Sequence, residues 1–146
     1  MSAAQRRGDQ SSRMVGHAIA VFFNVGLLFL INIYPGWQTE TMLTPATADV
    51  LGWVNLSMLV NIVVNLAYFY ADPKWFRTVG DLLIAGVGFG AVLRVWQVFP
   101  FDISGSWYSA VRVLLVVAAL GTAIAGALQL ARLIGIVLSG GWTARD

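Results

Sequence analysis

The chain has 146 residues, 58% of them hydrophobic and 11% charged, with a formal net charge of +2 and a mean hydropathy of +0.75. Soluble domains carry about 25% charged residues, so a soluble fold would lack the polar surface to cover so apolar a chain, and a membrane protein is predicted. The nine Lys and Arg are scattered among apolar runs and form no nucleic-acid patch, and with no cysteine the chain has no disulfide, thiolate metal site or thiol redox chemistry.

A hydrocarbon core about 30 Å thick needs about 20 apolar residues of helix, and four such runs follow one another. Residues 1–13 read as a cytoplasmic tail carrying Arg6, Arg7 and Arg13. The first span is predicted over 14–34 and stops at Pro35-Gly36. It is longer than a signal-peptide core and no small-x-small cleavage site follows it, so it reads as an uncleaved span. The second span is predicted over 50–70, closed by Asp72-Pro73, and the third over 79–99, closed by Pro100. The fourth covers 107–133 or runs on to Leu138, with Ser104 or Ser106 as its N-cap, and 139–146 form a second cytoplasmic tail. Backbone groups in lipid must be satisfied within each segment, which makes all four runs helices. The predicted fold is therefore all-α, a four-helix transmembrane domain over 14–138. Its short connections make consecutive helices antiparallel neighbours in an up-down bundle.

Lys and Arg in the short loops set the orientation. Arg6, Arg7 and Arg13 precede the first span, Lys74 and Arg77 separate the second and third, and Arg132 and Arg145 lie at the C-terminal end. The 35–49 and 100–106 loops hold none. Both termini are expected in the cytoplasm, as a multi-pass protein of a bacterial plasma membrane. The six tryptophans fall at or near span ends, as an interfacial aromatic belt requires.

Polar side chains inside a span cost energy to bury and are the best functional pointers available. At 1.5 Å per residue, Asn24 and Asn61 both fall about 15 Å deep, near the midplane. Asn32 and Asn55 share the outer third, and His17 and Asn65 the inner third. Spans one and two are thus predicted to meet at three polar levels, Asn24 bonding Asn61 at the middle one. Ser57 shares the face of Asn61 and Asn65. The stripe reads either as interhelical hydrogen bonding or as a polar path or ligand pocket. His17 is the only histidine and has no second ligand at i+3 or i+4, so neither metal nor cofactor is expected.

Spans three and four carry small residues instead. Gly86 and Gly90 flank Gly88, and Gly121–Ala125 and Thr122–Gly126 repeat the spacing. Such residues let backbones approach closely in lipid, here to pack span three on span four or to form a homodimer seam. Arg94 and Arg112 lie about 8–9 Å below the outer ends of these two spans. Either each guanidinium snorkels to the headgroups, or the two share an anion at the outer face. Asp102, Asp49, Glu40 or a lipid headgroup could serve as that anion. Asp81, one turn past Arg77, is placed for a local ion pair.

The order "YPGW", "VNLSMLVNIVVNLAYFYADPKWFR", "GDLL" and "RVWQVFPFD" resembles a family of uncharacterised small four-span integral membrane proteins of actinobacteria, over most of residues 16–138. That resemblance implies no activity, cofactor or site. Small multidrug exporters rely on a glutamate in the first span, and this first span has no acid. Membrane thiol oxidoreductases of the vitamin K epoxide reductase type need cysteines. With no nucleophile–base pair and no phosphate loop, the chain is expected to be non-enzymatic. Its expected role is an accessory or interaction subunit in the lipid bilayer, packed against a larger membrane complex or its own copies. The alternative is a small oligomeric transporter or channel using the asparagine stripe and the arginine pair.

Overall fold

A computed structural model describes residues 3–70 and 73–140. Asp72, Trp142 and Arg145 lie outside these residues, as do the side chains of Arg6 and Arg7. The described chain contains four long helices: α1 (Ala3–Asn32), α2 (Ala48–Tyr70), α3 (Lys74–Val98) and α4 (Ser106–Leu138). Each is long and apolar enough to cross a membrane. α1 begins well before the apolar run, because the polar stretch "AAQRRGDQSSR" contains no proline to stop it and only one glycine. α4 keeps the longer of its two predicted ends, Leu138, and its 33 residues span about 50 Å.

The distribution of side chains is the reverse of a soluble fold. Phe22 is 79% exposed and Leu120 59%, whereas Asn65 and Thr78 are each only 7% exposed. Large apolar side chains face outward along all four helices, a surface that suits lipid and would be far too sticky for water.

Each helix packs on the next in chain order, while α1 and α4, at the two ends of the row, share no extended packing. Glycines set the α2–α3 approach. A methyl group on Gly90 would stand 2.7 Å from Trp53 Cζ3, and one on Gly80 would run into the Tyr68 hydroxyl and Val64. Between α3 and α4 the small residues that meet are Ala85 with Gly126 and Gly88 with Thr122. The predicted glycine seam therefore forms only in part. Gly126 lies on it, Gly90 instead receives an indole from α2, and Gly86 and Gly121 have open space where a side chain would begin. The helix rotations that bring Ala85 and Gly88 onto α4 turn Gly86 outward, to an exposed position.

Two short 3-10 turns, Trp37–Thr39 and Pro45–Thr47, shape the α1–α2 connection, which bonds directly to the α3–α4 connection. Thr44 N–H donates to the Pro100 carbonyl (3.0 Å) and Asp102 N–H to the Met42 carbonyl (2.8 Å), on either side of a Leu43–Phe101 bridge. Phe99, in the left-handed region at φ 45°, closes α3 by donating its N–H to Val95, ahead of Pro100, which disfavours further helix. Neither predicted serine caps α4. Gly105 occupies the N-cap at φ 63°, a conformation that glycine adopts without a Cβ clash, and no side chain bonds the helix start there.

Candidate functional site

The asparagine stripe is built as two closed levels and one open one. At the outer level Asn32 and Asn55 exchange amide hydrogen bonds of 2.9 and 2.7 Å. At the inner level Asn65 Nδ2 donates to the side-chain oxygen of Asn61, so Asn65 Oδ1 is an acceptor and His17 donates to it through Nδ1 at 2.8 Å. The His17 ring lies 5.0 Å from that of Tyr68. The middle level does not close. Asn24 turns back to the Ala20 carbonyl of its own helix (2.8 Å), and Asn61 is taken by Asn65 (2.8 Å). The predicted Asn24–Asn61 bond is absent because each amide finds a partner one turn away along its own helix.

A partly open cavity of about 470 Å³ lies at that level. All four helices line it: Asn24 of α1, Ser57 and Asn61 of α2, Asp81, Ile84, Ala85 and Gly88 of α3, and Gly121, Thr122, Ala125 and Gln129 of α4. Counting from the helix ends, Asp81 and Gln129 lie about 10–14 Å from one edge of the bundle, and Gly88 about 21 Å. The cavity thus occupies the interior of the apolar slab, where water does not otherwise stabilise polar groups.

Its chemical centre is the Asp81 carboxylate, a residue read from sequence only as a partner for Arg77. Tyr68 Oη lies 2.9 Å from Asp81 Oδ1 and 2.9 Å from the Arg77 carbonyl, one proton facing two acceptors. Gln129 Nε2 donates to Asp81 Oδ2 at 3.1 Å, while its Oε1 accepts from Arg132 at 3.5 Å, which fixes the amide orientation. The expected Asp81–Arg77 ion pair does not form, and no cation meets this carboxylate among the described residues. Gln129 was missed. The available signal was depth, since Gln129 stands at the level of Asp81 when both helices are counted from the same side. Among the described residues no group of three His, Asp or Glu could hold a metal ion.

At the other end of the bundle the proposed anion cluster is not assembled. Arg94 Nε donates to the backbone carbonyl of Asp49 at 3.4 Å. Arg112 faces away from it, its guanidinium carbon 4.4 Å from the ring centres of Trp96 and Phe99 and 5.3 Å from that of Tyr108. Arg112 Nε is buried without a hydrogen-bond partner. Neither arginine pairs with Asp49, Asp102 or Glu40 among the described residues. The reason is local. Three aromatic faces around a guanidinium with a buried Nε hold it by cation–π attraction of up to about 2 kcal/mol.

Comparison with protein-family models, with curated proteins and with solved structures finds no match to this chain, so its site is defined by its own geometry.

Proposed function

We propose that this chain is a non-enzymatic integral membrane protein that binds a small polar solute between its spans, as the unit of a small transporter or channel. The observation that carries this reading is a cavity whose mostly apolar wall carries a carboxylate and side-chain amides inside four apolar helices. Isolated packing contacts would consume those groups in pairs, as Asn32 and Asn55 do. α1 and α4 share no extended packing, which leaves room beside the partly open cavity for further copies, and this supports an oligomer. The reading includes an antiparallel up-down bundle in a bacterial cytoplasmic membrane, with both termini inside. The pairs His17–Asn65 and Asn32–Asn55, Tyr68–Asp81 and Asp49–Arg94, and Asp81–Gln129 and Trp96–Arg112 support the alternation.

The test uses the natural absence of cysteine. Ala125→Cys, on the cavity wall, should react with N-ethylmaleimide in membranes, because only a wet thiol ionises and attacks. Ala127→Cys, exposed on the opposite side of α4, should not. Equal protection of both would remove the reading.

An accessory subunit that packs on a larger complex is the second reading, and one observation favours it. Gly86, Gly121 and Gly135 have nothing within 4 Å of a Cβ position, leaving small-residue faces bare for another helix. Recovery of a stoichiometric partner from gentle detergent, identified by mass spectrometry, would favour it over transport.

A further inference from the structure

We propose that the solute is a small organic cation, a protonated amine, seated with its N–H groups on Asp81. This inference rests on the reading of the cavity as a solute site and names the chemistry of its occupant.

The first ground is the carboxylate's unused capacity. An ionised carboxylate offers about four acceptor positions, and Asp81 receives only Tyr68 and Gln129. Among the described residues no basic side chain contacts it: Arg77, one turn away, makes no ion pair with Asp81, Arg132 bonds Gln129, and Arg94 and Arg112 hold the Asp49 carbonyl and an aromatic box at the other end of the bundle. A carboxylate away from bulk water is costly without a counter-charge, and the protein supplies none in contact.

The second ground is the polarity of the wall. Ser57 gives its hydroxyl proton to the Val54 carbonyl, and Thr122 gives its own to Ala118 and Ala119. Asn24 donates its amide to Ala20. The two hydroxyl protons thus point back into the helices and leave oxygen lone pairs toward the cavity, while Asn24 keeps its oxygen and one N–H and Asn61, whose oxygen accepts from Asn65, keeps its NH2. A carboxylate with no cation against it, flanked by hydroxyl oxygens, selects for a positively charged N–H donor and against an anion, and the neighbouring amides can serve any polar group the guest carries.

The third ground is size. About 470 Å³ falls within the range of about 300–1,000 Å³ typical of small-molecule sites. A bare metal ion would fill little of it and would find only one acidic ligand. Ile84, Ala85 and Ala125 add apolar wall for a short hydrocarbon tail beside the ammonium group.

The experiment follows N-ethylmaleimide labelling of Ala125→Cys in lipid nanodiscs, with n-hexylamine as probe and hexan-1-ol as its neutral counterpart. Hexylammonium should slow labelling and hexanol should not. In Asp81→Asn/Ala125→Cys, labelling should persist, and the amine concentration that half-protects should rise about tenfold or more through loss of the charge-assisted bond. Labelling no faster than at Ala127→Cys overturns the cavity reading and this inference with it. Labelling that hexanol slows as well as hexylammonium does, or protection that survives Asp81→Asn, overturns the cation assignment and leaves the cavity standing. The amine–alcohol comparison reads out with Asp81 in place, so it decides even where the Asp81 variant does not fold.

Discussion

An asparagine amide inside a bilayer must find its partners within reach, and the stripe shows two ways of doing so. Asn32 and Asn55 satisfy each other across two helices, whereas Asn24 and Asn61 each bond within their own. These arrangements predict different energetics. Replacing Asn32 or Asn55 alone by Leu strands the other amide, while replacing both leaves an apolar contact. A double-mutant cycle on thermal unfolding in detergent should give a coupling of about 0.6 kcal/mol, and at most about 1.7. The same cycle at Asn24 and Asn61 should give no coupling, and a coupling there as large as that at Asn32 and Asn55 would contradict the observed bonding. Depth counting along the sequence found which residues share a level, but it carries no information on which way a rotamer turns. That is why Asn24 and Asn61 were matched in height yet mispaired. Asp81 was read through Arg77 because an i+4 neighbour is visible in the sequence. Its actual partners, Tyr68 and Gln129, depend on how three helices rotate about their axes. The aromatic box of Arg112 was not legible because Trp96, Phe99 and Tyr108 converge only after α3 and α4 pack.

At the scale of the elements, the helix ends near Pro35 and Pro100 fall within two residues of those expected, whereas α3 begins at Lys74, directly after Pro73 and five residues before the expected 79. Pro35, Pro73 and Pro100 stand beside three of the observed helix ends, since proline removes a donor and biases its predecessor away from helix. The faces that pack were less legible, because most residues on both the packed and the outward faces of these helices are apolar and the usual contrast between core and surface fades. GxxxG spacing identified glycines but not their partners. Only contact geometry separates them, and it predicts a graded series. Gly90→Ala drives a methyl group to 2.7 Å from the Trp53 ring, and Gly80→Ala drives one into Tyr68 and Val64. Each should cost about 1–3 kcal/mol by overpacking, and Gly80→Ala should also disturb the hydroxyl that bonds Asp81. Gly86→Ala meets open space and should be neutral or stabilising by up to about 1 kcal/mol through helix propensity. Melting temperatures in detergent rank the three directly. A loss at Gly86 equal to that at Gly90 would mean that Gly86 packs against something, as a homodimer seam requires.

At the scale of the molecule, two independent features bear on which side of the membrane each end occupies. The first is charge: Arg6, Arg7 and Arg13 lie in the first half of α1, Lys74 and Arg77 in the first turn of α3 and Arg132 late in α4, while the 35–49 and 100–106 connections hold no Lys or Arg. The second is the clasp between those same two connections, formed by the Thr44–Pro100 and Met42–Asp102 bonds. Segments bonded to each other through their backbones sit on one side of a bilayer. The clasp thus supports, independently of charge, the proposed topology in which α2 and α3 make a return crossing and α1 and α4 leave from a common face. Charge bias then bears on which face that is, and in the proposed reading the clasp lies outside and both termini in the cytoplasm. A cysteine replacing exposed Thr39, beside the clasp, should be labelled in intact cells by a membrane-impermeant sulfonated maleimide. One replacing exposed Ser11 should be labelled only after permeabilisation, and one replacing Ser139 should follow Ser11. Labelling of Ser11→Cys and Ser139→Cys together in intact cells, with Thr39→Cys protected, would invert the orientation and leave the clasp intact. Opposite behaviour of Ser11→Cys and Ser139→Cys would break the four-span topology itself, and with it the cavity that all four helices line.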